Sequence, residues 1–296
     1  MKKTTKLIVT LICLLIAICF YSNYSFASSK KKDTIKKEYE EYVNKTMIPK
    51  YGKIKNIAKL NDGLDTWQDQ IGIITTYTAD INNDGKKECI VLYIDEEVLD
   101  KEGSEEKDLE DADQITLDTK YTSLHMAILS KQKNKIVESD NITLVSDFNR
   151  RPSFNYKFYI KTNKNKKYII MHGFCDIELG GANDLYIMGV TDNNTLFLEE
   201  GLTDPGYSSG LGLYRLNTSI DTLTDNDYYH TGTVLYDSES CINAVECSTY
   251  KKKLQSEIKK YGLKLKIDTI YSSEGTKQYM LKKDSTLKCF CTMLSV

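Results

Sequence analysis

Residues Asp80 to Glu88 read DINNDGKKE, and this nonapeptide constrains the surrounding fold more than any other stretch of the chain. Three oxygen-bearing side chains, Asp80, Asn82 and Asp84, alternate before Gly85, and a fourth, Glu88, comes three residues later. A hard cation gathers about six to eight oxygen ligands, so alternate residues must turn inward while a glycine takes the sharp bend. The flanks, Ile73 to Tyr77 and Cys89 to Ile94, are short runs rich in β-branched and aromatic residues, as in the arms of a hairpin. Asn, Asp and Gly also build tight turns without a metal. A bare turn has no need of Asp80 and Glu88, and the clustered carboxylates repel one another unless a cation or solvent neutralises them. The spacing therefore points to Ca2+.

The N-terminus sets the expected compartment. Lys2, Lys3 and Lys6 precede an uncharged apolar run from Leu7 to Tyr21, and Ser25-Phe26-Ala27 offers a small-x-small cleavage site before Ser28. Residues 1–27 read as a secretory signal peptide, which makes the mature protein secreted, or extracellular. An uncleaved anchor is the alternative, because the run is near the lower length for spanning a bilayer. A lipid anchor needs a small residue before the modified cysteine, whereas Cys13 follows Ile12 and Cys19 follows Ile18.

Losing Lys2, Lys3 and Lys6 takes the formal charge from −2 to −5, and a mildly acidic chain argues against a nucleic-acid partner. After cleavage Cys89, Cys175, Cys241, Cys247, Cys289 and Cys291 remain. They are scattered over a chain too long to need staples. Cys89 and Cys175 lie in apolar strand-like runs and read as buried free thiols. Cys241, Cys247, Cys289 and Cys291 could pair locally or across. A zinc site from these four is the sharper alternative, although no flanking histidine completes the usual ligand spacing.

Residues 33–296 read as a single α+β domain after a short linker, 28–32. Asp33 or Thr34 is a plausible N-cap for a helix in which Ile35, Tyr39, Tyr42, Val43 and Met47 recur at helical spacing and which Pro49 stops. Asp95 to Asp113 is dominated by Asp and Glu and reads as a solvated, mobile insertion, with a weak ion site or a surface for a basic partner as its functional alternative. Strand-like runs then occur at Leu124–Leu129, Ile136–Leu144, Phe154–Ile160, Tyr168–Met171, Leu185–Val190 and Leu196–Leu198, separated by turns such as Asn163-Lys164-Asn165 and Asp192-Asn193-Asn194. Successive strands with short polar turns imply an antiparallel β-meander. Tyr250, Leu254, Ile258 and Tyr261 line a second helical face that ends at Gly262, and Leu263, Leu265 and Ile267 then alternate as in a half-buried strand. The expected architecture is the meander with an N-terminal and a C-terminal helix packed on it. No repeat of propeller length is present, so a full propeller is not expected.

An EF-hand places a bidentate Glu at position twelve and continues into a helix, but position twelve here is Val91, within a strand-like run. The segment instead resembles the acidic hairpin loops of the FG-GAP and VCBS families, DxDxDGxxD before a hydrophobic strand. That resemblance implies Asp80, Asn82, Asp84 and Glu88 as side-chain ligands of Ca2+, with the main chain of Lys86. Asn82 and Glu88 depart conservatively from the Asp pattern, and one copy of the loop replaces the families' repeated copies. Over roughly the first third of the mature chain, the YEEYVNKTMIPKYG helix end, a Trp and GIITTYTADINNDGKKECIVLY look like a set of uncharacterised secreted or lipid-anchored proteins of Gram-positive anaerobes. That likeness implies secretion and the loop, and carries no activity.

Enzyme readings rest on thinner patterns. Gly206-Tyr207-Ser208-Ser209-Gly210 matches the GxSxG of a nucleophile elbow, with His230 as the available base and Asp221, Asp225 or Asp227 as its acid. The elbow requires a helix after it, whereas Leu211 to Leu216 looks extended, so a Gly/Ser-rich loop joining strands is the plainer reading. Asp176, Glu178 and Asp184 supply carboxylates for a glycosidase pair. His125 reads as a packed strand residue, and His172 sits beside Gly173 near a strand end. Tyr77, Tyr93, Tyr159 and Tyr186 are assigned to half-buried strand faces. Two functions of different class result. One is a non-enzymatic, calcium-stabilised β-rich domain binding an extracellular protein, cell-wall polymer or glycan. The other is a secreted hydrolase, serine-type at Ser208 and His230 or of the carboxylate type.

Overall fold

A computed structural model describes residues 34–54, 70–97, 121–145, 153–177, 180–204, 212–215, 233–237, 252, 255–256, 258–268 and 278–295. The chain separates into two compact units, Met1–Thr46 and Met47–Val296. In the first, residues 34–42 are helical, which includes Thr34. A π-turn, Val43–Met47, spans the boundary, and the second unit opens with a short helix, α1, Ile48–Tyr51. Pro49 does not stop the helical run as the sequence suggested. It lies in the first turn of α1, directly after the π-turn, and the run ends two residues later at Tyr51. Gly52 at φ 83 ends the run and donates to Ile48 O at 2.8 Å.

The described part of the second unit is mostly antiparallel β-structure. Strands β1 (Gly72–Ala79), β2 (Glu88–Glu97), β3 (Tyr121–Gln132) and β4 (Lys135–Val145) pair in chain order as a four-stranded sheet. A seven-stranded sheet contains β5 (Ser153–Asn163), β6 (Lys166–Ile177), β7 (Gly180–Val190), β8 (Leu196–Asp204), β9 (Gly212–Arg215), β10 (Thr233–Asp237) and β13 (Leu287–Ser295). Its order is β10-β9-β8-β7-β6-β5-β13, and the two strands between β10 and β13 in sequence, β11 (Leu265–Asp268) and β12 (Gln278–Leu281), form a separate antiparallel pair. The meander is therefore present but divided between two sheets. β13, which the strand pattern did not single out, returns to close the β5 edge. The acidic stretch begins inside β2, with Asp95 paired to Ser123 and Glu96 to Thr122, and residues 98–120 lie outside the described ones.

Pleating explains the long apolar runs. One core cluster takes Ile90, Leu92 and Ile94 of β2 and Met126 and Ile128 of β3, together with Phe154, Tyr156 and Phe158 of β5, Ile169 and Met171 of β6, and Tyr186 and Met188 of β7. These are alternate residues, so the two sheets bury their facing sides against each other. The intervening residues of the larger sheet, Tyr168, Ile170, Leu185 and Ile187, join Ile258, Tyr261, Leu263 and Leu265 in a second cluster on its other face. A strand buried on both faces loses the alternation that marks a half-buried one, which is why Tyr168–Met171 and Leu185–Met188 read as unbroken apolar runs. On the outer face of the smaller sheet, Tyr93 packs on Tyr51 of α1, ring centroids 4.3 Å apart.

The C-terminal segment is fixed by polar contacts as well. Among its described residues 252, 255–256 and 258–259 are helical, Gly262 lies at φ 75 with its N–H on Lys259 O at 2.9 Å, and Asn163 Nδ2 donates to Lys260 O at 2.9 Å. Lys161, buried on β5, donates from Nζ to Asp284 Oδ2 at 2.7 Å and to Thr286 Oγ1 at 2.5 Å. The sulfur chemistry is simpler than the spacing allowed, since Cys89, Cys289 and Cys291 are free thiols. Cys289 and Cys291 pair with the adjacent residues Tyr159 and Phe158 across a bulge, which places them on opposite sides of the sheet and prevents a local disulfide. Burial, and secondarily Cys289, push the Cys291 thiol up to about 12, so it is inert. Cys241 and Cys247 lie outside the described residues.

The ammonium of Lys161 holds the Asp284 carboxyl below the usual carboxylate range, with the Thr286 bonds assisting. A depressed folded-state value means that this contribution is complete above the unfolded carboxyl range and fades as acid protonates Asp284. Asp284→Ala leaves a buried ammonium unpaired and is expected to lower the melting temperature at neutral pH by several degrees. The same change at Glu41, which pairs with exposed Lys45 at 3.3 Å, is expected to leave the melting temperature nearly unmoved in parallel thermal melts.

Candidate functional site

The DINNDGKKE segment is the turn of the β1–β2 hairpin, closed by the pair Ala79 and Glu88. Its conformation follows from its short polar side chains. Asn82 Oδ1 accepts the Asp84 N–H at 3.0 Å, and Asp84 Oδ1 accepts the Lys86 N–H at 2.7 Å, two successive Asx turns. Asn83 and Gly85 take positive φ, 68 and 87, which these residue types tolerate best. A Cβ at Gly85 meets nothing within 4 Å, so its requirement is torsional alone. Ile81 is 1% exposed and anchors the turn in the core, while its N–H donates to Glu88 Oε2 at 2.7 Å.

Three carboxylates are thereby held in one electrostatic neighbourhood. Burial raises Glu88 to about 7, the charges of Asp84 and Asp80 add to the rise, and the Ile81 N–H opposes it. Asp80 Oδ1 is buried and accepts no hydrogen bond among the described residues. Lys86 Nζ lies 3.5 Å from Asp84 Oδ2, and Lys167 Nζ lies 4.0 Å from Asp80 Oδ2 while donating to the Asp80 carbonyl. The side chain of Asn82 crosses to the other sheet, its Nδ2 donating to Asn194 Oδ1 at 3.1 Å and Thr191 O at 3.4 Å in the β7–β8 turn. Asp140 of β4 adds a second crossing by accepting the Leu196 N–H at 2.6 Å.

The loop, the β3–β4 turn and the β7–β8 turn border a polar cleft of about 520 Å³, with Lys86, Lys87, Lys131 and Lys133 at its walls beside Asp84 and Glu88. The donors expected from the sequence for a cation, Asp80, Asn82, Asp84, Glu88 and the Lys86 carbonyl, belong to this one turn. They are all oxygen, which suits a hard cation such as Ca2+. The unsatisfied Asp80 oxygen and the raised Glu88 fit a place for positive charge. In the described structure Asn82, Asp84 and Glu88 each commit one oxygen to a backbone amide, and no group of three or more His, Cys, Asp and Glu is arranged as a ready ligand set among the described residues. Val91, the twelfth position, is buried in β2, and the loop leads into that strand and not into a helix.

Among the described residues, the other sequence candidates do not line this cleft. Ser208 and His230 lie outside the described residues, but the element directly after the GxSxG motif is strand β9, paired antiparallel with β8, instead of the helix an elbow needs. Asp184 is buried on β7, with the Tyr156 hydroxyl donating to its Oδ2 at 3.3 Å. Asp176 stands on β6 opposite Gly181, three register positions from Gly173, the partner of Asp184, and Glu178 is outside the described residues. His125 stacks on Tyr93 at 5.0 Å, with Nδ1 against Thr143 Oγ1 at 3.2 Å, which is the packed strand role expected. His172 stands on β6 beside Gly173. Tyr93 and Tyr186 are core residues, and Tyr77 and Tyr159 pack against the two clusters.

Sequence reasoning missed Lys167, Thr191 and Asn194 as neighbours of the loop. They are ordinary turn-flanking residues, and Asn194 is 112 positions from Asn82, so no local pattern ties them to it. No protein-family model, curated protein or solved structure matches the chain.

Glu88 makes a testable contribution in EDTA, where no free divalent cation competes. Its folded value is raised, so the folded state holds the extra proton between about pH 4.5 and 7, and stability falls as pH rises through that window. In EDTA the melting temperature is expected to drop from pH 5 to pH 8, after subtraction of the pH trend of Glu88→Gln. An identical pH trend in the two proteins contradicts the assignment.

Proposed function

We propose that this protein is a secreted, non-enzymatic, calcium-stabilised β-rich domain that presents one end of its two-sheet body to an extracellular protein, cell-wall polymer or glycan. The observation that carries the reading is the β1–β2 turn. It concentrates Asp80, Asp84 and Glu88 around a buried, unsatisfied Asp80 oxygen and is fastened to the facing sheet through Asn82. A divalent cation there relieves the mutual repulsion of the carboxylates and stiffens the turn between the sheets. Asp80, Asn82, Asp84 and Glu88 supply side-chain oxygens and Lys86 its carbonyl. The ion's role is structural, since extracellular calcium modules commonly bind at about 10⁻⁴ to 10⁻³ M and fill passively outside a cell. The charged run at Lys2, Lys3 and Lys6 before an apolar segment supports export. No helix among the described residues is long and apolar enough to cross a membrane.

The finer architecture belongs to the same proposal. It takes in the C-terminal helix that the spacing of Tyr250, Leu254, Ile258 and Tyr261 implies on the outer face of the larger sheet, with Tyr250 and Leu254 outside the described residues. Its support is the burial of Ile258 and Tyr261 there.

Calcium at about ten times its dissociation constant adds roughly 1.4 kcal/mol, or about 3 to 6 °C in melting temperature for a domain of this size. That shift is expected when EDTA is replaced by calcium in the wild type and is expected to vanish in Asp80→Ala with Asp84→Ala. Equal melting of both proteins in both buffers rejects the calcium assignment.

A further inference from the structure

We infer that Lys167 is a tethered counter-cation of the Asp80–Glu88 loop, occupying the neighbourhood of Asp80 in the metal-free protein and setting how weakly the loop binds a divalent cation. The inference rests on the calcium reading and adds to it a residue from the other sheet. Lys167 comes just after the turn between β5 and β6, paired with Thr162. It precedes Ile169 and Met171 in the alternate series that faces the core between the sheets, so its side chain emerges where that core meets the loop. Its Nζ donates to the Asp80 carbonyl and stands 4.0 Å from Asp80 Oδ2, and both side chains are about three-quarters covered, at 23% and 25% exposure. Lys86 also pairs with a loop carboxylate, Asp84, but at 78% exposure its charge is largely screened by water.

A largely covered ammonium beside a carboxylate does part of a metal ion's electrostatic work. It offsets the negative charge at Asp80, whose buried Oδ1 has no donor among the described residues, and so keeps the turn folded when the ion is absent. The same charge repels an incoming divalent cation, and binding requires the ammonium to withdraw along its flexible stem. Weak affinity follows without any change in the ligand set. Lysine suits this role because its four-carbon stem packs on apolar surface while the charged head remains free to move. The loop's oxygens reach only part of a calcium shell of about six to eight ligands, so displacement of Lys167 also clears space for water beside Asp80.

The test compares the wild type, Lys167→Met and Lys167→Arg by calorimetric titration with CaCl2 and by melting in EDTA and in calcium. Met keeps the apolar stem and removes the charge, and Arg keeps the charge. Lys167→Met is expected to bind calcium roughly tenfold more tightly, since one partly screened charge at this range is worth about that factor. It is also expected to melt below the wild type in EDTA and to recover in calcium, while Lys167→Arg follows the wild type in both. Lys86→Met removes an equal charge from the exposed pair and is expected to change affinity far less. Calcium binding by the wild type with unchanged or weaker affinity in a folded Lys167→Met protein overturns the role of Lys167 and leaves the calcium site standing. Absence of binding heat and of any calcium-dependent melting shift in all four proteins overturns the calcium site and this inference together.

Discussion

The contact between the four-stranded and seven-stranded sheets is the constraint on which the remaining structure depends. Burying Ile90, Leu92, Met126 and Ile128 against Phe158, Ile169, Met171, Tyr186 and Met188 removes a large apolar surface from water and fixes the face each strand must present. A one-residue slip in any of these strands exchanges its core side chains for those of the opposite face, so the packing sets the register of the whole meander. The larger sheet is a central layer, because Ile170, Leu185 and Ile187 on its other face require the cover provided by Ile258, Tyr261, Leu263 and Leu265. Lys161 is buried on β5 and reaches Asp284 and Thr286, so a buried charge is tolerated where it meets two oxygens at once.

Sheet packing also brings together the ends of hairpins distant in sequence. The β1–β2 turn protrudes from one sheet and the β7–β8 turn from the other, and Asn82 joins them through Asn194 and Thr191. Ile81 inserts into the common core beside this polar crossing, which makes the turn part of the body of the fold. The arrangement explains the environment of Glu88. A carboxylate at the first position of a buried strand is desolvated by the core and faced by Asp84 and Asp80, and the backbone amides of Ile81 and of Glu88 itself compensate only in part. Such a site is stabilised by positive charge, whether from an ion or from a lysine.

Much of the fold was legible in local pattern. The hairpin around Asp80 to Glu88, the strands from Leu124 to Leu198 and the turns at Lys164 and Asn194 follow from β-branched and aromatic runs broken by Asn, Asp and Gly. Pro49 lies two residues before the end of the helical run at Tyr51, and the π-turn Val43–Met47 directly before α1 is not foreshadowed by the spacing of Ile35, Tyr39, Tyr42, Val43 and Met47. The strand Leu287–Ser295 escaped notice because its bulge at Cys289 to Cys291 breaks the period-two pattern and because its partner, β5, lies more than a hundred positions earlier.

By itself the sequence determined the chemistry of the loop: oxygen donors at alternate positions, a glycine where φ must be positive, and apolar arms that force a hairpin. These are short-range consequences of side-chain type, written within nine residues. Only the tertiary structure decided which charges meet the loop. The placement of Lys167 beside Asp80 and of Asn194 beside Asn82 depends on how two twisted sheets align their turns when their apolar faces are buried. That alignment is a property of the whole core, and no local stretch of the chain encodes it.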